Sequence, residues 1–418
     1  MRPYPMRTTR RRLLLGGAAL AASVALPDVL FAHTGGSARL VVVILRGALD
    51  GLAAVPPYAD PAYAGLHREL AIAAPGAADG ALALDGTFGL HPSLKFLHER
   101  FLGGELVVFN AVASPYRDRS HFDGQNVLEN GLATPSGVAD GWLNRALAAL
   151  PRRAGSSNEQ AVAISQNVPL ILRGDARVIS KSPQAAPGVD DELLSRLADL
   201  YSKDDWFSAR LSEAVQTEKL SDDGGDSLAP AMRSPQAGVA ATKPAGPDRV
   251  TAAARMAAAL MRSGGGPEVA VIEASGWDTH ANQGNAKGTL AQRLAGLDNA
   301  MRALADELGP LWAQTAVLVV TEFGRTAAMN GTRGTDHGTG GCAFLAGGAV
   351  RGGRVVADWP GLSRTALLDN RDLRPTLDLR SVFKAVLDEH LRVDAKTLAA
   401  RVFPDSSGAH PLQGLIRA

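Results

Sequence analysis

Four short segments hold residues whose types and spacing suit chemistry. The first is Arg46-Gly47-Ala48-Leu49-Asp50-Gly51. Its Asp50 either points a carboxylate into a crevice or belongs to an ordinary Asp-Gly turn. The second runs from Ser114 through Tyr116, Arg117, Arg119, Ser120 and His121 to Asp123. Ser120 can cap a helix that continues through Gln125, Val127 and Leu128, with Asp123 as its capping partner. The same serine stands at a positive helix end, flanked by Arg117, Arg119 and His121, which also suits a nucleophile facing an anion. In the third segment, Ser275-Gly276-Trp277-Asp278-Thr279-His280, an aspartate and a histidine two apart in a turn can both reach one cation. The fourth begins Thr321-Glu322-Phe323-Gly324-Arg325-Thr326 and resumes at Gly334-Thr335-Asp336-His337-Gly338-Thr339-Gly340-Gly341. Glycines around Thr339 imply a backbone that something approaches closely.

Of nine histidines, only His121, His280 and His337 have an aspartate within two positions while sitting in turns beside expected strands or helices. Imidazole with carboxylate suits zinc, manganese or iron, and all-oxygen sites suit magnesium or calcium. One or two divalent ions are therefore expected, without a choice between zinc, manganese and magnesium or calcium. Asp336 is a weaker candidate ligand, since neighbours in extended chain point opposite ways.

Elements that could position these segments alternate along the chain. Arg39 to Leu45 is an apolar, β-branched run with no alternation, as in a strand buried on both faces. Further strands are expected at Glu105–Phe109, Ala161–Ile164, Glu268–Glu273, Ala316–Thr321 and Cys342–Leu345. Helices are expected at His91–Leu102, Asp140–Leu150, 189–220, Arg249–Met261, Ala286–Leu308 and Ser381–Leu391. Ser221 to Asp248, rich in glycine, proline, serine and alanine, reads as a surface loop or flexible insertion. Strands alternating with helices predict a mostly parallel sheet between two helix layers, a three-layer α/β/α sandwich. In such a sheet ligands bind beyond the carboxyl ends of the strands, and all four segments lie there.

The chain of 418 residues is 46% hydrophobic and 20% charged, which excludes a disordered chain or a coiled-coil rod. One cysteine, Cys342, excludes an intrachain disulfide and any multi-cysteine metal site. A formal net charge of +1 is far from that of a nucleic-acid binder. No glycine-rich dinucleotide fingerprint or Walker loop is present. At the N-terminus, Arg10 and Arg11 precede the apolar run Leu13 to Leu26. As a helix that run spans only ~21 Å, short of a bilayer core. It reads as an export signal over residues 1–32, addressed to the twin-arginine translocase and cut near Ala32. Its removal leaves 38 basic and 41 acidic residues, net −3. A periplasmic or secreted product without a stable membrane span is expected. Changing both Arg10 and Arg11 to lysine keeps the charge and should leave the precursor in the cytoplasm on cell fractionation; normal export of that variant would refute the twin-arginine route.

The strings R-G-A-L-D-G, R-S-H-F-D-G-Q, G-W-D-T-H-A-N-Q, V-T-E-F-G-R-T and T-D-H-G-T-G-G resemble, in this order, the bacterial twin-arginine-exported family called domain of unknown function 1501. The match runs from about Arg39 to the end of the chain. That family is similar in turn to the alkaline phosphatase and sulfatase superfamily. The resemblance implies an alkaline phosphatase-like domain over 39–418. It implies a metal-binding aspartate after the first strand (Asp50), a helix-capping nucleophile (Ser120) and later ligands (Asp278, His280 and His337). The superfamily's usual late Asp-His pair is replaced here by Glu322-Phe323. The resulting expectation is a metal-dependent hydrolase of phosphate or sulfate esters. Ser120 would attack, with His121 beside it. Asp50 and Glu322 would hold one ion, and Asp278, His280 and His337 a second. Arg46, Arg117, Arg119 and Arg325 would neutralise a small anionic ester. The other reading is a non-catalytic exported binding or assembly protein with a structural metal and an exported partner.

Overall fold

Strand β1 (Arg39–Arg46) shows why the chain folds as it does. Val41, Val43 and Leu45 enter the apolar core on one side of the sheet, and Leu40, Val42 and Ile44 the core on the other. A strand that is apolar at every position can satisfy both faces only when helices cover both. The structure is a computed structural model describing residues 38–135, 137–151, 159–183 and 247–417. The expected export signal, the helix over 189–220 and nearly all of the loop expected at 221–248 lie outside the described residues.

Apart from a small antiparallel pair, Leu82–Ala83 with Gly89–Leu90, the other described strands are β2 (Leu106–Ala113), β3 (Ala161–Ile164), β4 (Val178–Lys181), β5 (Val269–Ser275), β6 (Thr315–Thr321), β7 (Gly341–Ala346), β8 (Arg354–Val356) and β9 (Leu377–Asp378). β1 to β9 form one sheet in the order β8-β2-β7-β6-β1-β5-β3-β4, with β9 pairing the far end of β2. All pairings are parallel except those of β7, which runs antiparallel between β2 and β6. This reversal carries functional weight. It brings Gly341, the start of β7, to the edge where β1, β5 and β6 end. The loop preceding β7 therefore shares that edge.

The main helices are α1 (Gly51–Ala54), α2 (Tyr63–His67), α3 (Lys95–Leu102), α4 (His121–Asn130), α5 (Trp142–Ala149), α6 (Pro247–Arg262), α7 (Thr289–Leu308) and α8 (Leu379–Glu389). α3, α6 and α7 cover one face, where Phe96, Leu97, Ala254, Ala257, Leu294 and Leu297 join the core. α5 and α8 cover the other, with Trp142 stacked on Phe383 at 4.7 Å between ring centroids. The fold is thus a three-layer, mostly parallel α/β sandwich.

Expected and observed elements differ mainly at their ends. The helix expected from His91 begins only at Lys95, because the buried His91 ring accepts from Ser93 N–H and meets the Asn285 carbonyl instead of entering a helix. β2 runs past Phe109 to Ala113, with Ala111 at φ 53° forming an irregularity in its ladder with β7. Among the described residues no helix is long and apolar enough to cross a membrane.

Candidate metal centre

The strand ends deliver the site residues through tight turns. After β1 the chain turns through Gly47 (φ 119°) and Ala48 (φ 59°). A Cβ on Gly47 would lie 2.6 Å from the Asp278 nitrogen, so only glycine lets the β1 and β5 ends approach this closely. Glu322 follows β6 directly, Asp278 and His280 follow β5, and His121 opens α4. The loop before β7 lies along Gly324–Thr326: Gly324 N–H donates to the Thr339 carbonyl and Gly338 N–H to the Gly324 carbonyl, both at 2.9 Å.

Three imidazoles converge on the carboxylate of Asp278. The Nε2 atoms of His280 and His337 stand 3.0 and 3.4 Å from its Oδ1, and that of His121 stands 3.5 Å from its Oδ2. Each ring is held from behind through Nδ1. His121 donates to Glu322 Oε1 at 2.8 Å, His337 to the Arg119 carbonyl at 2.9 Å, and His280 pairs with Asp336 Oδ1 at 3.2 Å. A carbonyl or carboxylate can only accept, so these partners place the proton on Nδ1 and aim Nε2 at the centre. An outer acceptor behind each imidazole is the usual support of a metal-binding histidine.

Two details suit a cation. The Nε2 atoms of His280 and His337 lie 3.0 Å apart, a separation that two bare lone pairs tolerate only with a proton or metal ion between or beside them. The Nε2 of His121 is shut off from solvent and has no hydrogen-bond partner. A buried nitrogen left in that state costs roughly 1–3 kcal/mol, and coordination would remove the cost. Ligand atoms of His121, Asp278 and His337 lie within 4.8 Å of one another, close enough to share one ion. The donor set of imidazole and carboxylate therefore fits a divalent cation of the zinc or manganese type.

Burial works to raise the pKa of Asp278, but the hydrogen bond and charge of Arg325 outweigh it and keep the carboxylate ionised. Arg325 itself is 2% exposed. It donates from Nη1 to Asp278 Oδ1 at 2.5 Å and from Nη2 to the Thr335 carbonyl at 2.6 Å.

Asp50 and Glu322, expected to hold an ion together, have their oxygens engaged by protein groups. Glu322 is fully buried; its Oε1 accepts from Gly47 N–H, His121 and Gln125, and its Oε2 from the Thr321 hydroxyl. It orients His121 without facing an ion of its own. Asp50 caps α1 through Oδ1, accepting from Leu52 and Ala53 N–H at 3.1 Å each. Its Oδ2 accepts from Gln283 at 2.8 Å and stands 3.4 Å from Nε2 of the buried His67. His67 has no neighbouring aspartate in sequence, so nothing local marks it. The Asx cap, by contrast, is the Asp-Gly turn reading of this segment.

This buried pair makes stability depend on pH. Burial alone would raise the Asp50 pKa, but the His67 charge and the hydrogen bonds of Gln283 and Ala53 bring it to about 2. Burial works against protonating His67, yet the Asp50 charge prevails and its pKa is raised. A lowered carboxylate contributes stability above its unfolded pKa, and a raised histidine below its own. The pair is thus fully effective between about pH 4 and 6.5 and weakens on either side. Urea midpoints should fall from pH 6.5 to 9, and fall less in His67→Gln. An equal fall in both would contradict the pairing.

The four arginines expected to meet substrate all have protein partners. Arg46 binds Glu273, Glu129 and Gln125. Arg119 binds Asp372 at 2.8 Å and Asp369 at 3.2 Å. Arg325 binds Asp278. The exposed Arg117 reaches only the carbonyls of Ser114 and Tyr116. Ser120 occupies the N-cap position of α4 with extended backbone (φ −90°, ψ 127°), but its side chain makes no capping hydrogen bond. The glycines around Thr339 do meet a close approach, and what approaches is the protein itself. A Cβ on Gly338 would lie 2.3 Å from the Arg325 carbonyl carbon, and one on Gly340 2.5 Å from the Leu373 oxygen.

A family model described as a protein of unknown function, DUF1501, matches residues 109–402. No curated protein matches the chain. Solved structures that match include the C-terminal periplasmic domain of EcEptC from Escherichia coli in complex with Zn. It is 9% identical, the alignment covers 75% of this chain and 73% of that one, and the TM-score is 0.32.

Proposed function

The chain belongs to the DUF1501 family of proteins of unknown function, and from that premise we propose that it is an exported, metal-dependent hydrolase of phosphate or sulfate esters. The observation that carries the reading is the convergence of His121, His280 and His337 on Asp278, each ring held from behind. His121, Asp278 and His337 would hold the ion, with His280 beside them. A divalent cation bound there would supply Lewis-acid polarisation of an ester oxygen. The half-exposed Asp278 and His280 leave the centre open on one side, so a small anion can reach it. Glu322, Asp336 and the Arg119 carbonyl keep the three imidazoles aimed.

Ser120 is the nucleophile of this proposal. It directly precedes His121, and its hydroxyl is not committed to capping α4. The unpaired N–H groups of the first turn of α4 favour negative charge next to it. The twin-arginine signal and a periplasmic or secreted location belong to the same reading.

Ser120→Ala should abolish turnover of an activated aryl phosphate or sulfate and leave metal content unchanged. Because no cap bond is lost, its melting temperature should stay close to that of the wild type. Full activity in this variant would eliminate the serine mechanism.

A second reading, an exported binding protein with a structural metal, is favoured by one observation: Arg46, Arg119 and Arg325 are each already paired with a carboxylate. Metal-loaded wild type that turns over neither aryl phosphates nor aryl sulfates would decide for it.

A further inference from the structure

Asp50 stands apart from the three imidazoles yet is joined to them by a chain of hydrogen bonds in which every member is buried. Gln283 Nε2 donates to Asp50 Oδ2 at 2.8 Å. Gln283 Oε1 then accepts from the hydroxyls of Thr279 at 2.7 Å and Thr335 at 3.1 Å. Thr335 Oγ1 accepts in turn from Arg325 Nε at 3.3 Å, and Arg325 Nη1 donates to Asp278. Asp50, Gln283, Thr279, Thr335 and Arg325 are all at most 5% exposed.

The direction of this chain is set at one end. A carboxylate can only accept, so it turns the Gln283 amide with nitrogen toward Asp50 and oxygen toward the two threonines. The Thr335 hydroxyl, donating to that oxygen, offers its lone pair to Arg325. Arg325 is thereby fixed in the pose that grips Asp278. His67, buried beside Asp50, supplies the balancing charge without touching the centre. Three of the four lone pairs of Asp50 are taken by the protein: Oδ1 accepts from two backbone N–H groups and Oδ2 from Gln283, and the remaining side of Oδ2 faces Thr335 and His67, each at 3.4 Å.

We infer that Asp50 is a positioning residue for the metal centre, acting through Gln283, Thr335 and Arg325 to set how Asp278 presents its carboxylate to His121, His280 and His337. The inference rests on the metal-centre reading above and goes beyond it, because it gives Asp50 a role other than ligand. It also explains a network reaching from the start of the domain to a loop 285 positions later. Low-dielectric networks of this kind hold one polarity only when every member is satisfied.

The test is Co2+ titration of metal-stripped full-length protein, followed by visible absorption of the bound ion. Two variants are compared with wild type. Asp50→Asn removes the charge that sets the polarity. Gln283→Met cuts the chain while leaving the α1 cap and the His67 pair in place, so it decides the matter if Asp50→Asn does not fold. Both variants should bind the same one equivalent as wild type. Affinity should be lower by roughly 10–100-fold, the usual cost of losing an outer-shell partner, and the ligand-field band should shift. A wild type that binds two equivalents, one of them lost in Asp50→Asn, would make Asp50 a ligand and overturn the inference while the metal centre stands. Unchanged affinity and spectrum in Gln283→Met would overturn it as well, reducing the network to plain structural support. No Co2+ binding by wild type would instead refute the metal centre itself, and the inference with it.

Discussion

His121→Ala should lose metal affinity by more than about 100-fold, whereas Glu322→Gln should keep one equivalent and weaken it by about 10–100-fold. The contrast follows from geometry. His121 Nε2 is the buried, unpartnered nitrogen aimed at Asp278, so its removal deletes a ligand. Glu322 lies one step further back and holds the ring through Nδ1. Glutamine at that position could still accept from Gly47, His121 and Gln125 through its oxygen and donate to the Thr321 hydroxyl, so what it loses is the negative charge that makes the His121 ring a more basic ligand. Isothermal titration with Zn2+ separates the two effects. Equal losses in both variants would place Glu322 among the ligands. No loss in His121→Ala would remove His121 from the centre.

The second large effect is expected at Gly324, directly after Phe323, whose ring stacks with that of His121. A Cβ there would lie 1.9 Å from the Gly340 carbonyl oxygen, an overlap that the two backbones can relieve only by separating. Their contact is what lays the loop bearing His337 along the segment bearing Arg325. Gly324→Ala should therefore cost about 3 kcal/mol, the upper part of the usual range for overpacking, and weaken metal binding as His337 moves away. Gly331→Ala is the control, because nothing lies within 4 Å of its Cβ position, and it should leave both quantities unchanged. Urea unfolding of the two variants with and without metal gives the comparison. Wild-type stability and metal affinity in Gly324→Ala would contradict the packing described for this loop.

Much of this arrangement is legible in the residues. The unbroken apolar run of β1 announces a doubly covered strand, and the strands at Ala161, Val269 and Thr315 stand out by the same composition. Segments placed after such strands must meet at one sheet edge, which is why Asp278, His280, His337 and His121 come together. What sequence cannot separate is a carboxylate that binds an ion from one that orients a ligand. Asp50 and Glu322 both follow strands as Asp278 does, and their difference lies in which way each side chain turns. That direction is fixed by partners far along the chain, Gln283 for Asp50 and His121 for Glu322. His67 carries no local signal because its partners, Asp50 and the Ala327 carbonyl, both lie outside its own short helix. The antiparallel course of β7 is equally silent, since Cys342 to Leu345 would be just as apolar in either direction. The edge strands at Arg354 and Leu377 are too short for any period to show. The arginines mislead for a simple reason: a guanidinium looks free in sequence until its carboxylate, here Glu273, Asp372 or Asp278, is placed beside it.

The central claim is that this chain holds a divalent metal through His121, Asp278 and His337, and elemental analysis of the purified, metal-reconstituted protein tests it most directly. After exhaustive dialysis the wild type should retain close to one equivalent of a transition metal per chain, and Asp278→Ala should retain none. A wild type that emerges free of metal after reconstitution with zinc, manganese and iron would contradict the account at its base, leaving three histidines and an aspartate with no ion to explain their convergence.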